Sequence, residues 1–309
     1  MGLWEGPIAT SVFWSEGKPG CRRQRLLVFS LAAAFVAACL VYSNTLVNGF
    51  VWDDDVYVVH NEGIRSWGTA FEHLSIPDWY SGGPSVPVWR PVRNLSYALD
   101  YSIWTLNPLG YHASNALIHA VNAALVLLLV WRLTGAFLAA WVAGGCFAVH
   151  PVLTEAVAWV KGRDDLLATL FFLGAIHAVI SLCRGGWRTP WAWLFLVLAS
   201  GSLLSKEAAL CLMPTVFLAW WFIRHAGADA GPVKREDRVP LAGLLVTGAI
   251  LTGLYVAGRA LVLGRIAQID GVTGSASSTC LTMLRALVYY FQLALLPLNL
   301  TCDYSDFAV

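Results

Sequence analysis

The sequence predicts an all-α integral membrane protein, a multi-span helical bundle with one large extracytoplasmic loop near its start. Three observations predict this. Apolar runs of helix-spanning length recur along the chain. Hydrophobic residues make up 58% and charged residues 13% of its 309 positions, with a mean hydropathy of +0.63, whereas soluble domains carry about 25% charge. The basic residues fall mainly in alternate connections between the apolar runs. At a net charge of +1 the scattered Lys and Arg form no basic stripe, so a nucleic-acid partner is not expected. The seven cysteines, Cys21, Cys39, Cys146, Cys183, Cys211, Cys280 and Cys302, show no CxxC or Cys/His spacing. They read as small hydrophobes and leave the redox compartment open.

Residues 1–25 form a polar segment ending in Cys21-Arg22-Arg23-Gln24-Arg25. The nearly unbroken apolar run 26–47 follows, long enough for a bilayer core that takes about 20 helical residues. An Arg-rich start before an apolar run also fits a cleaved leader, and Val36-Ala37-Ala38-Cys39 resembles a lipoprotein cleavage box. We read the run as the first span, with its Arg-rich end in the cytoplasm. Residues 48–112 then read as a long first extracytoplasmic loop, rich in Trp and Tyr, with Asp53, Asp54 and Asp55 at its head and Arg90 and Arg93 near its end. Connections of that length are uncommon unless they carry function.

The remaining bundle, 113–309, offers spans at Ala113 to Leu133, Ala136 to Val160, Leu166 to Cys183, Trp191 to Leu204, Ala208 to Ile223 and Pro240 to Leu263. A shorter run, Ala286 to Leu300, carries Pro297 and reads as either a span or an interfacial helix. An inside amino terminus puts Arg132, Arg184, Arg188, Arg224, Lys234, Arg235 and Arg238 with Lys18, Arg22, Arg23 and Arg25 on the cytoplasmic side, as the positive-inside rule expects. The basic residues left on the other side come in compact groups with acids beside them. These are Arg90 and Arg93, Lys161 and Arg163 followed by Asp164 and Asp165, and Lys206 followed by Glu207. Charges within a turn of apolar helix are expensive and usually mark a site. Fixed cations at a membrane face suit a lipid-borne phosphate, and a carboxylate opposite them suits removal of a proton from an acceptor hydroxyl.

Structural roles compete at each position. The acidic triplet also reads as a solvated helix end. Lys161-Gly162-Arg163-Asp164-Asp165 also reads as a tight turn with Asp at the next helix start. His150-Pro151 reads as a kink, and Glu155 as either paired or near a cavity; both are candidates for a supporting shell. The tryptophans Trp52, Trp67, Trp79, Trp89 and Trp104 with Tyr111 read first as interfacial anchors, and Trp52 and Trp89 also as sugar-stacking platforms.

A series of elements in order carries a resemblance: Asn48-Gly49-Phe50-Val51-Trp52-Asp53-Asp54, Trp89-Arg90-Pro91, Gly110-Tyr111-His112 leading to Asn115 and His119, Phe147-Ala148-Val149-His150-Pro151 with Glu155, Gly162-Arg163-Asp164-Asp165-Leu166-Leu167-Ala168, and Leu204-Ser205-Lys206-Glu207. The series resembles the membrane half of the transmembrane and tetratricopeptide-repeat O-mannosyltransferases, from about Asn48 to Asp306. The resemblance implies a GT-C-type glycosyltransferase bundle that takes a polyprenyl or dolichyl phosphate mannose donor and a protein Ser or Thr acceptor at the extracytoplasmic face. It implies Asp53 or Asp54 as base, with Asp53 slightly favoured. Arg90, Arg93, Lys161, Arg163, Asp164, Lys206 and Glu207 would face the donor phosphate, and no metal is expected. The membrane would be endoplasmic reticulum in a eukaryote and plasma membrane in a bacterium. No 34-residue period occurs in the chain, so the repeats would come from further sequence or a separate partner. A transporter or scaffold that only binds a lipid-linked sugar is the alternative, as is a related enzyme acting on a lipid-linked glycan.

Overall fold

A computed structural model describes residues 21–76, 88–185, 190–226, 241–264, 276–298 and 300–301. The described residues are helical, without strands, and the chain is an all-α multi-span membrane protein. Helix α1 (Cys21–Val41) ends in a 3-10 turn, Ser43–Val47. Short turns and α2 (Trp67–Glu72) lead to α3 (Pro91–Trp104), which lies in the segment read as loop. Then come α4 (Pro108–Thr134), α5 (Phe137–Val149), α6 (Thr154–Ala158), α7 (Arg163–Gly185), α8 (Trp191–Ser205), α9 (Leu212–Ala226), α10 (Leu241–Leu263) and α11 (Ala276–Leu295). Among the described residues five helices are long and apolar enough to cross a membrane, or six if α5 and the bent continuation Pro151–Ala158 are one span. The bend is 45° and falls at His150-Pro151, where proline removes a helix donor.

Helix α4 begins at Pro108, earlier than the polarity of Gly110-Tyr111-His112 suggests. Asn107 caps it by accepting from the Leu109 N–H at 3.1 Å, and Pro108 suits a first helical position. The polar side chains point inward: Tyr111 donates to the Thr105 carbonyl at 2.9 Å, and His112 lies 3.4 Å from the Gly49 carbonyl. At the other end Gly135 closes α4 in the left-handed conformation, φ 67°, which glycine adopts without Cβ strain.

Helix α7 is the axis of the bundle. Two thirds of its apolar window (67%) is buried, against 17% for α10. Ile176, Val179, Ile180 and Leu182 pack with Phe195 and Ala199 of α8, Val216 of α9 and Leu244 of α10. On the other flank α1 meets α4 and α5 through Ala34, Ala38, Ala120, Ala123, Ala140 and Ala148, small residues that let helices approach closely where lipid offers no hydrophobic drive. Arg132 and Arg224, two of the residues expected at the cytoplasmic end, occupy the last turns of α4 and α9. Arg132 is clasped by the His177 ring and carbonyl and by Ser181 Oγ at 2.8–3.2 Å. Lys18, Trp79, Arg188, Lys234, Arg235, Arg238 and Cys302 lie outside the described residues.

At the opposite end the first residue of α7 ties three helices together. The Arg163 side chain is 1% exposed and donates to Asp100 of α3 at 2.7 Å, to the Tyr111 carbonyl of α4 at 2.8 Å, and to Asn115 Oδ1. Its guanidinium also lies over the Tyr97 ring, 5.3 Å from the centroid. Breaking a buried pair costs about 3–5 kcal/mol, because the remaining charge is stranded. Arg163→Met is therefore expected to lower the unfolding midpoint in detergent markedly more than Lys206→Met, whose side chain is 22% exposed; equal effects would show that Arg163 is not the tie.

Candidate active site

The turn after α1, the start of α3, the α6–α7 junction and the end of α8 meet at the Arg163 end of the bundle. Backbone breaks hold each candidate side chain there. Pro91 opens α3 directly after Arg90. A 3-10 turn, Val160–Gly162, runs straight into α7, so Lys161 precedes the helix and Asp164 and Asp165 occupy its first turn, where carboxylates complement the helix dipole. Gly162 is required there, since a Cβ would lie 2.4 Å from the Ala156 carbonyl oxygen. Lys206 sits in extended backbone between α8 and the 3-10 turn Glu207–Cys211.

Asp164 is the centre of the charge cluster. Its carboxylate has no exposure and is ion-paired with Arg90, with Lys206 Nζ at 3.7 Å and with Arg93 at 3.8 Å. Arg90 also donates to Glu207 at 3.0 Å, and Lys206 reaches both Asp165 oxygens at 2.6 Å. Burial works against the Arg90 charge, but the carboxylates of Asp164 and Glu207 outweigh it and hold its pKa above the ordinary value. Arg93 is fully buried, with its guanidinium 4.2 Å from the Tyr57 ring centroid. Arg259 of α10 was not singled out from the sequence; it lies 3.8 Å from Glu207 and 3.5 Å from the Tyr255 hydroxyl. Its signal was a lone charge inside an apolar run. Among the described residues four cations, Arg90, Arg93, Lys206 and Arg259, thus meet three carboxylates, Asp164, Asp165 and Glu207.

Asp53 and Asp54 differ sharply. Asp54 has no exposure, and its oxygens accept from the backbone N–H of Val51 at 3.1 Å and of Lys161 at 2.8 Å. It fastens the turn after α1 to the start of α7. Burial pushes its carboxyl up from 3.8 to about 6, with the Asp53 charge adding to the rise and the two N–H groups opposing it. The Asp53 side chain is 32% exposed, with its Oδ2 4.0 Å from Lys161 Nζ. Lys161 Nζ lies over the Trp159 ring at 4.8 Å. Asp55 is exposed and pairs with His60 at 3.2 Å, away from the cluster.

The other sequence candidates fall into clear places. Arg163 faces inward as the helix tie and presents no donor to the open end. His150 caps the 3-10 turn by accepting from the Val152 N–H at 3.3 Å, and its other nitrogen is 3.1 Å from the Ala294 carbonyl. Glu155 is exposed on α6. Trp89 is held in the structure, stacked on Tyr255 with centroids 6.0 Å apart and donating to the Leu74 carbonyl at 2.7 Å. Trp52 is 64% exposed and has φ 50°, a conformation that non-glycine residues rarely take. Its ring meets Trp159 edge-on at 5.7 Å.

No family model matches the chain, and no solved structure matches it. Curated sequences do. It is 32% identical to the Drosophila melanogaster Protein O-mannosyl-transferase Tmtc2 over 291 residues, 90% of this chain and 30% of that protein. Identity to the human Protein O-mannosyl-transferase TMTC2 is 33% over 196 residues, 60% of this chain and 23% of that one. With the mouse Protein O-mannosyl-transferase TMTC3 it is 37% over 151 residues, 47% and 16%. The chain spans less than a third of the length of these relatives. Matching its members over this membrane part of their sequence, the chain belongs to the transmembrane and tetratricopeptide-repeat O-mannosyltransferase family.

Proposed function

We propose that this chain carries the membrane catalytic part of a protein mannosyltransferase that moves mannose from a polyprenyl phosphate to a Ser or Thr hydroxyl at the extracytoplasmic face. The observation that carries the proposal is the pairing of a partly exposed carboxylate, Asp53, with Lys161 beside the group of cations gathered around Asp164 and Glu207. The names of the relatives support mannose as the sugar and protein as the acceptor. The alternation of basic residues supports the sidedness.

In this reaction the acceptor oxygen attacks the anomeric carbon while the bond from that carbon to the phosphate oxygen breaks. The phosphate leaves with the electron pair, and the sugar inverts. Asp53 takes the hydroxyl proton; it is the acid of the pair whose oxygens reach the open end. Asp54 is a positioning residue, holding the turn that carries Asp53. Lys161, Lys206, Arg90 and Arg259 supply positive charge to the leaving phosphate, as preorganised donors do where charge develops. Asp164 and Glu207 orient those donors, and Arg93 supports them from beneath. A repeat-bearing partner or further sequence presents the acceptor.

Transfer from radiolabelled polyprenyl-phosphate mannose to a Ser/Thr peptide in proteoliposomes, with the chain alone and with a repeat-bearing half supplied, tests the proposal. Asp53→Asn is expected to lower turnover about 10²- to 10⁴-fold, as loss of a general base does, while donor binding and the unfolding midpoint are kept. Undiminished turnover would remove Asp53 from the role. Arg259→Ala is expected to weaken donor binding about ten- to a hundredfold, the range for a hydrogen bond to a charged group, with little change in midpoint.

The pH dependence follows from Asp54. As pH falls through about 6 its carboxylate gains a proton and turns one acceptor into a donor facing a backbone N–H, so transfer should fall along that limb. Its effect on stability has the opposite sign. A carboxyl whose folded pKa is raised binds its proton more tightly when folded. Its contribution is therefore fully present below 3.8 and is lost as pH rises through about 6. Midpoints measured against Asp54→Asn between pH 5 and 7 should show this trend. If the two midpoints stay parallel across that range, Asp54 is not titrating there.

A further inference from the structure

A cavity of about 780 Å³ opens beside the turn that carries Asp53, lined by Asn48, Trp52, Val152, Glu155, Trp159 and Thr301 among others. Its volume is within the range of ligand sites, about 300–1,000 Å³. No Lys or Arg is among its described lining residues, and Glu155 is their only charged side chain. That carboxylate is exposed, with no ion-pair partner among the described residues. Trp52 adjoins Asp53 and bridges the cavity to the candidate base. Its left-handed backbone, φ 50°, costs about 1–3 kcal/mol and is the kind of strain that persists at functional sites.

Two facts decide what the cavity can take. An anionic phosphate is repelled by Glu155 and finds no cation in this lining, whereas the cluster around Asp164 offers several. Inversion also requires the acceptor to approach the sugar from the side opposite the leaving phosphate, within reach of the base. A cavity that borders the Asp53 turn and carries the opposite sign of charge fits the acceptor. Its paired tryptophans give a wall for an extended polypeptide, amphipathic surface gained at little entropic cost.

We infer that this cavity receives the acceptor polypeptide and that Glu155 favours segments carrying Lys or Arg near the target hydroxyl; the inference rests on the transferase reading. The indole faces also attract a cation, so Glu155 adds to a preference that the tryptophans share.

The test places a photoreactive amino acid at Val152 in the reconstituted chain and compares capture of Ser/Thr peptides flanked by Lys with capture of the same peptides flanked by Glu. Val246 of α10, 58% exposed on the apolar surface, is the control position. Capture at Val152 should favour the Lys peptide about two- to fivefold, the range of a solvent-exposed ion pair. Glu155→Gln should reduce the preference and Glu155→Lys should reduce it further, with unfolding midpoints unchanged because the side chain is exposed. Capture no greater than at Val246, or a charge preference undiminished by Glu155→Gln, would overturn the inference. Mannose transfer measured in the same vesicles with the repeat-bearing half supplied keeps the two readings apart. Capture without transfer counts against the transferase reading, and transfer without capture counts against the cavity.

Discussion

A carboxylate with no solvent exposure must be paired with a cation, or hydrogen-bonded with its pKa raised as Asp54 is, because the desolvation of a lone charge exceeds what a folded domain can absorb. Asp164 meets this requirement through Arg90, Lys206 and Arg93. Those partners come from the start of α3, which carries Arg90 and Arg93, and from the turn after α8, two segments far apart in sequence. Satisfying one buried acid therefore draws two connections onto the end of α7. Glu207 extends the arrangement to Arg259 of α10, so the outer end of a fourth helix is drawn in by the same constraint.

Adjacent residues on α7 divide the work by geometry. Successive helical positions point about 100° apart, so Arg163 and Asp164 face different neighbours. Arg163 turns into the wedge between α3 and α4 and ends on Asp100, Asn115 and the Tyr111 carbonyl. Asp164 turns toward the cations. Gly162, with no room for a Cβ, allows the preceding turn to pass close to α6 and deliver the Lys161 N–H to Asp54. Scaffold and chemistry thus share one helix start, and Asp54 carries the connection across to the turn holding Asp53.

What the sequence made legible was the level of each residue in the bundle. Apolar run lengths located the spans, and the alternation of charge put Asp53, Arg90, Lys161 and Lys206 at one end, where the structure brings them together. Rotation about each helix axis was not legible, because a charge next to a span looks the same whether it faces the bundle interior or the open end. Arg163 accordingly read as a ligand contact and is instead buried on Asp100. Polarity hid the start of α4 for the same reason: Tyr111 and His112 are polar because they bond inward. The pairing partners Asp100 and Arg259 were not singled out, and Asn115 entered only within the series that carries the resemblance, since their role exists only across long sequence separations.

Exposure then separates the rigid from the exchangeable part of the cluster. Asp164 and Arg163 lie out of solvent, where pairing is obligatory and geometry fixed. Glu207 and Asp165 are 40% and 47% exposed at the side chain, and ion pairs at that exposure contribute little net stability. They hold Lys206 and Arg259 near the open end without committing them strongly, because water competes for both partners. Such cations retain most of their capacity for a charged ligand, whereas a fully desolvated pair would have to be broken at a cost of several kcal/mol. The gradient from Asp164 outward is what allows a rigid bundle end to present exchangeable positive charge.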